Sequence, residues 1–551
     1  MSGDGNIPVL IVGGGPIGLA LAADLGRRGI DVVLIERRSE RLGPARMLEV
    51  GVRTMEFCRQ LGIAEDVRNW GWPPDHSLDS VFVTNLNGYE LGRIRAPTLA
   101  STRTSLESPE RAVPCPQTWF DPILLRSAKS FPNVKLRHQT ELVDFTQDCD
   151  GVTAMVKQAG SDSYETLRAN YLVGCDGAES FVRHLLGIQI RGRPHIDWSL
   201  NIYLRIPDFL SFHGTPQAFR YVFVGPTGTW SFLTAIDGRD LFRLQLVGVD
   251  KDALENIEVG QLMGRIFGRQ IPHSVESKVL WARKMTVADR FSDGRVFLAG
   301  DSAHAHPPNG GLGMNTGIQD SFDLGWKLAA VTRGWGGSRL LDSYDIERRP
   351  ACARANETSL ANFGRLRDGS EDREIEAPTE AGYAARRRIG ARLVTENEKA
   401  WHPPGAHLGH VYQPSPIVIP DGTTRPDDDR VGYAPSSFPG ARAPHFWIHA
   451  GRSILDLFGG GFLQLVFDDT NTNQLERAAK QRGVPFEVFR VRNPEAALLY
   501  EKLLVLVRPD GHVAWRGDVV PEDCLGLIDT VRGAGLAASA RRSEELSQLA
   551  S

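Results

Sequence analysis

The stretch "VLIVGGGPIGLALAADLGRRGIDVVLIE", residues 9–36, restricts the possible folds more than any other. Val9–Val12 is a short aliphatic run of the kind found in a buried parallel strand. Gly13-x-Gly15-x-x-Gly18 follows at once, then an apolar-periodic helix from Ile17 to Arg28, a stop at Gly29, and a second strand, Val32–Ile35, ending in Glu36. Together they form a βαβ unit of about 30 residues. Gly13 allows a tight turn, Gly15 lets the backbone approach a pyrophosphate, and Gly18 lets the helix pack closely on the strand. The helix start, at Pro16, offers unpaired N–H groups and a positive dipole end to phosphate. Glu36 can accept from a ribose hydroxyl, and Arg37 beside it joins the candidate contacts. The pattern predicts dinucleotide binding without saying which dinucleotide.

A chain of 551 residues exceeds what one core holds, so two to four domains are expected. The net charge of −4 gives no basic excess, which speaks against a nucleic-acid partner. No run of about 18 apolar residues occurs, so no membrane span is expected. Cys58, Cys115, Cys149, Cys175, Cys352 and Cys524 are scattered and form no C-x-x-C. They read as reduced thiols in a cytoplasmic protein. The N-terminal segment lacks a basic n-region, so no secretory leader is expected.

Two further segments repeat the strand–turn–helix form. "YLVGCDGAESFVR", Tyr171–Arg183, passes from strand through an Asp-Gly turn into a helix. "RVFLAGDSAHAHPPNGGLGMNTGIQD" holds a buried strand, Val296–Ala299, then Gly300-Asp301, a Pro-Gly loop and a helix from about Asn315 to Val331. His304 and His306 beside a carboxylate hint at a metal. No third ligand cluster has matching spacing, so no metal is expected.

These three motifs, in this order, resemble those of the single-component FAD-dependent aromatic hydroxylases, the para-hydroxybenzoate hydroxylase family. The second is similar to the family's DG motif, with Asp176, Gly177 and Arg183; the third is similar to its GD motif, with Gly300 and Asp301. "VGVRTMEFCRQLGI" and "LLDSYDIERRP" are similar to its phenol hydroxylase and chlorophenol monooxygenase branch. The resemblance covers roughly residues 7–360. It implies FAD as cofactor and NADPH or NADH as transient co-substrate. It also implies O2 and a small aromatic substrate, hydroxylated through a C4a-hydroperoxyflavin. It places Asp301 on the ribityl chain and the Pro308 carbonyl against the hydroperoxide. Gly310, Gly311, Gly313, Met314 and Asn315 fall at the isoalloxazine edge. Arg46 falls near the pyrophosphate or the nicotinamide approach. Gln117 is similar to a flavin-contacting glutamine, and Arg126 lies on the helix that follows it.

The expected fold is α/β. A glutathione-reductase-type, Rossmann-like FAD domain (residues 1–78, 106–190 and 286–365) carries an inserted antiparallel sheet for substrate (79–105 and 191–285). A helical connector (366–429) leads to a thioredoxin-like C-terminal domain (430–551). That last domain holds a single cysteine, Cys524, so dithiol exchange is not expected there. It reads as structural or as an oligomer contact. Tyr203, Phe219, Tyr221, Phe223, Trp230 and Phe232 are candidates for lining the pocket, with about half filling the sheet's core face instead. Tyr221 is the candidate for a substrate hydroxyl contact.

Three other functions compete. A flavoprotein dehydrogenase would use no oxygen. A flavin halogenase is hinted at by "WGWPPD", Trp70–Asp75, which lacks the isoleucine of the halogenase motif and precedes the DG motif. A non-catalytic flavin binder need not retain Asp176, Arg183, Asp301 and the glycine loop.

Overall fold

The computed structural model describes residues 6–39, 47–101, 105–249, 251–252, 257–367, 369–401 and 403–535. Its first sheet runs in the order Ser292–Asp293, Val296–Leu298, Tyr164–Gly174, Ile7–Val12, Val32–Glu36, Val134–His138. The last five strands pair in parallel. Val9, Leu10, Ile11, Leu172 and Val173 are wholly buried, as parallel strands covered on both faces must be. The first helix spans Pro16–Arg27, with proline in the first turn where no N–H is missed. It packs against a long central helix, Leu312–Thr332.

The second sheet has seven strands in the order Ser274–Ala282, Trp198–Arg205, Leu241–Val249, Gly228–Ala235, Arg220–Gly225, Ser80–Val83, Glu90–Ile94. It departs from the expected all-antiparallel pattern at one place. Ser80–Val83 pairs in parallel with Arg220–Gly225, because the two arrive from separate parts of the chain. One face carries Tyr221, Phe223, Leu233, Leu244, Ile202 and Leu204 into a core with Met263, Ile266 and Phe267 of the helix Val259–Phe267. The opposite face packs Phe82, Val222 and Val224 against Leu366, Ile375, Ile389 and Leu393. The connecting helix Glu380–Glu398 therefore covers part of the sheet.

The C-terminal unit orders its strands Phe486–Arg490, Phe462–Val466, Leu504–Val507, Val513–Gly517, with the first pair parallel and the rest antiparallel. Helices Asn473–Gln481, Pro494–Tyr500 and Cys524–Val531 complete a thioredoxin-like arrangement. It shares a core with the end of the central helix, where Trp326, Ala330, Trp335 and Leu340 meet Ile417, Phe462, Leu506 and Trp515. Among the described residues, no helix is long and apolar enough to cross a membrane.

Candidate active site

The strand ends Val12, Glu36, Gly174 and Leu298 lie along the carboxyl edge of the parallel sheet, the edge where doubly wound folds bind ligands. Gly13 has φ +111°, and a Cβ there would sit 2.4 Å from the Cys175 carbonyl oxygen. The first turn thus rests on the Cys175–Gly177 turn with no room for a side chain. Gly15 contrasts with it: a Cβ there meets nothing within 4 Å. Its backbone opens on the groove, as does that of Gly311. Pro16 starts the helix, and Gly18 packs under Gly13.

Glu36 accepts from the Gly14 N–H at 2.7 Å and the Arg38 N–H at 2.8 Å, so one carboxylate shapes the glycine turn from the neighbouring strand. Arg37 is exposed beyond it. Asp176 accepts from Ser180 Oγ (2.5 Å), the Phe181 N–H (2.7 Å) and the Val182 N–H (3.1 Å). It therefore holds the start of the short helix Phe181–Leu185. Gly177 follows it at φ +87°. From that helix, the buried Arg183 donates to the Ser302 carbonyl at 2.8 Å and the Ala178 carbonyl at 3.0 Å, tying the second turn to the third.

The third turn is built on Gly300, φ +65°. Asp301 and Pro308 are exposed, while Ser302, Ala303, His304 and Pro307 around them are buried. Asp320, from the central helix, accepts from the Gly300 N–H (3.0 Å), His304 Nε2 (2.6 Å) and Arg348 Nε (2.8 Å). Burial would raise the Asp320 carboxyl, but His304 and Arg348 outweigh it and hold the pKa at about 2. At His304, burial lowers the pKa, and charged neighbours overcome it to reach about 10. Cys352 stays a neutral thiol, pushed up by burial, so the opposing charge is that of Asp320. His306 Nε2 lies 2.8 Å from His304 Nδ1. His304, Asp320 and Cys352 gather within 4.8 Å. Ion pairing of Asp320 with His304 and Arg348 accounts for that gathering without a metal.

The central helix begins at Leu312, three residues before the expected Asn315, with Gly311 as its cap at φ +64°. Gly313 and Met314 are half-buried in its first turn. The Asn315 side chain is a tether: Oδ1 accepts from the Gly51 N–H (2.8 Å) and Thr54 Oγ1 (2.7 Å), and Nδ2 donates to the Gly311 carbonyl (2.7 Å). The Gln117 N–H donates to the Met47 carbonyl at 3.0 Å, which brings that helix start to the same segment. Arg126 lies on the exposed side of its helix. Arg46 lies outside the described residues.

Tyr221 requires a correction. It is wholly buried in the core on the far face of the second sheet, near Phe209 and His213, and its hydroxyl accepts from the Ala218 N–H at 2.9 Å. Phe219 and Phe223 belong to the same core. Arg220, one residue earlier, points the other way. Its Nη2 lies 3.8 Å from Glu49 Oε2, next to the Gly51–Asn315 tether. In the register, Arg220 is opposite Thr234, Thr234 opposite Arg243, and Arg243 opposite Tyr203. The two arginines flank a threonine, about 10 Å apart by strand spacing. Burial holds both guanidiniums below their ordinary value. Glu49 offsets this at both, and Arg243 adds to it at Arg220. Sequence reasoning missed Arg220, Arg243, Glu49 and Asp320.

The comparisons agree with this geometry. A family described as "FAD binding domain" matches residues 6–359, and one described as "Aromatic-ring hydroxylase, C-terminal" matches 436–538. Tetracenomycin B2 monooxygenase-dioxygenase of Streptomyces olivaceus is 31% identical across 96% of this chain and 98% of its own. The 2,4-dichlorophenol 6-monooxygenase of Delftia acidovorans is 30% identical across 92% and 94%. Among solved structures, RebC with bound 7-carboxy-K252c has a TM-score of 0.90 at 38% identity, covering 96% of this chain and all of that one (100%). The fold, the three turns and these matches lead to one conclusion: the chain belongs to the FAD-dependent aromatic-ring hydroxylases and is a monooxygenase of aromatic substrates, with NAD(P)H as the family's reductant.

Proposed function

We propose that this monooxygenase hydroxylates a multi-ring phenolic aromatic that carries an anionic group, and that Arg220 and Arg243 hold that group. The carrying observation is the pair of half-buried guanidiniums on the sheet face beside Glu49. Planar guanidiniums suit carboxylate or phenolate oxygens. The relatives support a large ring system: tetracenomycin B2 in the name of one, 7-carboxy-K252c bound to another. The dichlorophenol relative favours a second reading, a single-ring phenol.

FAD fits the residues present, because Gly15 and Gly311 open on the groove with no atom of the described residues within 4 Å of a Cβ. In this reading the Gly13–Gly18 turn and the first helix N-terminus take the pyrophosphate. Glu36, with Arg37 beside it, serves the ribose, Asp301 the ribityl hydroxyls, and Gln117 the segment between. The Pro308 carbonyl and the Gly311–Met314 backbone meet the ring. When bound and reduced by NADH or NADPH, FAD supplies the O2-derived oxygen.

The chain's own residues do the rest. A guanidinium beside a phenol oxygen favours its anionic form, which enriches the ring in electrons. The sheet and the helix Asp342–Arg367 keep water from the reacting carbon. The central helix's positive end favours negative charge at the ring edge. Six unpaired thiols suit a reducing, cytoplasmic setting.

The test is NADH and NADPH oxidation with O2 uptake across phenolic aromatics with and without a carboxylate. Acidic multi-ring phenols should accelerate oxidation most, with one product per O2. Equal stimulation by neutral phenols would remove the guanidinium assignment.

A further inference from the structure

Along the same face of the second sheet, away from the guanidinium pair, lie polar atoms whose partners are missing from the fold. In the strand Trp198–Arg205, Leu200, Ile202 and Leu204 enter the far core, so alternation sends Ser199 and Asn201 to the opposite face. Among the described residues, Ser199 Oγ and Asn201 Oδ1 find no hydrogen-bond partner, although the two residues are only 0% and 6% exposed. Trp281, directly across from Ser199, has a buried Nε1 also without a partner. The helix Asp342–Arg367 passes over this end: Phe363 lies 3.9 Å from the Arg283 guanidinium, and Asn356 donates to the Thr286 carbonyl. Among the described residues, that helix presents one more buried oxygen without a partner, Ser359 Oγ.

A folded chain rarely leaves such atoms unmet, since each costs the full desolvation of its group. Three of them on two adjacent strands offer one indole N–H donor, one hydroxyl able to act either way, and one carbonyl acceptor. That set complements a carbonyl oxygen next to an N–H or O–H, as in a lactam or a hydroxyl beside a ring ketone. Tyr203, in the row with Arg243, and Ser199 are four residues apart along one strand, a separation of about 13 Å.

We infer that Ser199, Asn201 and Trp281 form a second recognition point, which takes the neutral carbonyl-and-donor edge of a substrate whose anionic end lies at Arg220 and Arg243. The inference rests on the acidic-substrate reading and extends it to a ligand polar at both ends.

Two probes decide it, both titrated against the FAD-loaded enzyme: 1-hydroxyanthraquinone-6-carboxylate, which has the edge, and anthracene-2-carboxylate, which lacks it. The wild type should bind the first about tenfold or more tightly, as two hydrogen bonds of ordinary strength give. Ser199→Ala and Trp281→Phe should each remove about fivefold of that preference and leave the anthracene probe's affinity unchanged. Ser199→Ala should also raise the unfolding midpoint of the ligand-free protein, because it deletes an unmet buried hydroxyl; a hydroxyl with a structural role would lower it. A preference that survives both substitutions, or none in the wild type, overturns the inference. Arg243→Met separates the two readings. It should weaken both probes alike and keep their ratio. Failure of the arginine effect alone sinks the acidic-substrate reading, and failure of both probes to bind the wild type sinks the two together.

Discussion

Asp320 Oδ2 lies 3.0 Å from the Gly300 backbone nitrogen, twenty residues earlier in the chain, and 2.6 Å from His304 Nε2. One carboxylate on the central helix therefore grips both ends of the turn that presents Asp301. Asp320→Asn keeps an acceptor but removes the charge that keeps His304 protonated. The expected cost is about 3–5 kcal/mol, typical of breaking a buried ion pair, read by urea unfolding, with weaker FAD retention. The pH profile checks the cause. His304 has a folded pKa of about 10 against 6.5 when free, so its contribution is full below pH 6.5 and lost as pH rises through about 10. The wild type should lose stability across that alkaline window, and Asp320→Asn should show little slope there. Equal slopes in both proteins would assign the alkaline loss to other groups.

Gly15 separates binding from folding. Its φ of −74° is ordinary for any residue, and a Cβ there meets no atom of the described residues within 4 Å. Gly15→Val should fold with an unchanged midpoint in the FAD-free state and retain FAD at least tenfold less well, measured by flavin released on desalting. Gly18→Ala should behave differently, because its Cβ would meet the Gly13 carbonyl oxygen at 2.0 Å. That variant should lose stability with or without flavin. Wild-type FAD retention in Gly15→Val would falsify the pyrophosphate assignment.

The three turns were legible in the sequence because each demand on them is local. A tight turn, a close backbone approach and a helix start write glycine, aspartate and proline at fixed spacing. Tyr221 was misassigned for the opposite reason. In "RYVFVG" both phases of the alternation are buried, one in the core beneath the sheet and the other under helices and the active site. Periodicity showed a strand but not which phase faces the site. Asp320 was invisible too: nothing local says that a helical aspartate grips a turn twenty residues upstream. The early start of the central helix follows from Gly311 adopting a left-handed cap, which spacing alone does not specify.

Neighbouring residues in that strand should behave oppositely. Tyr221→Phe removes the acceptor of the buried Ala218 N–H, so it should cost about 1–3 kcal/mol and leave KM for every substrate unchanged. Arg220→Met should change stability by about 1 kcal/mol or less, since its ion pair with Glu49 is long, 3.8 Å, and joins two half-buried side chains. Its KM should rise about tenfold or more for carboxylated phenols, as loss of a charged hydrogen bond predicts, and little for neutral ones. Steady-state kinetics beside urea unfolding tells the two apart. A raised KM in Tyr221→Phe would return the tyrosine to the site.

Arg508 binds the C-terminal unit to the central helix. Its guanidinium reaches Glu347 at 2.6 Å, Asp510 at 2.6 Å and Asp323 at 3.1 Å, all of them buried, while Lys327 reaches Asp323 and Glu347 at 2.7 Å each. Arg508→Met leaves three carboxylates around one lysine. The expected loss is about 3–5 kcal/mol at pH 8, with FAD held less tightly because the helix bearing Asp320 is the one released. The sign of the pH dependence follows. Burial already lifts the Asp323 carboxyl to about 7, and Arg508 opposes that. Without the guanidinium, the buried carboxyls bind protons more tightly folded than unfolded. The variant's stability should therefore recover as pH falls from 8 toward 6, where the wild type changes less. A loss below 1 kcal/mol, or one that does not vary over that range, would mean the cluster carries no net electrostatic load.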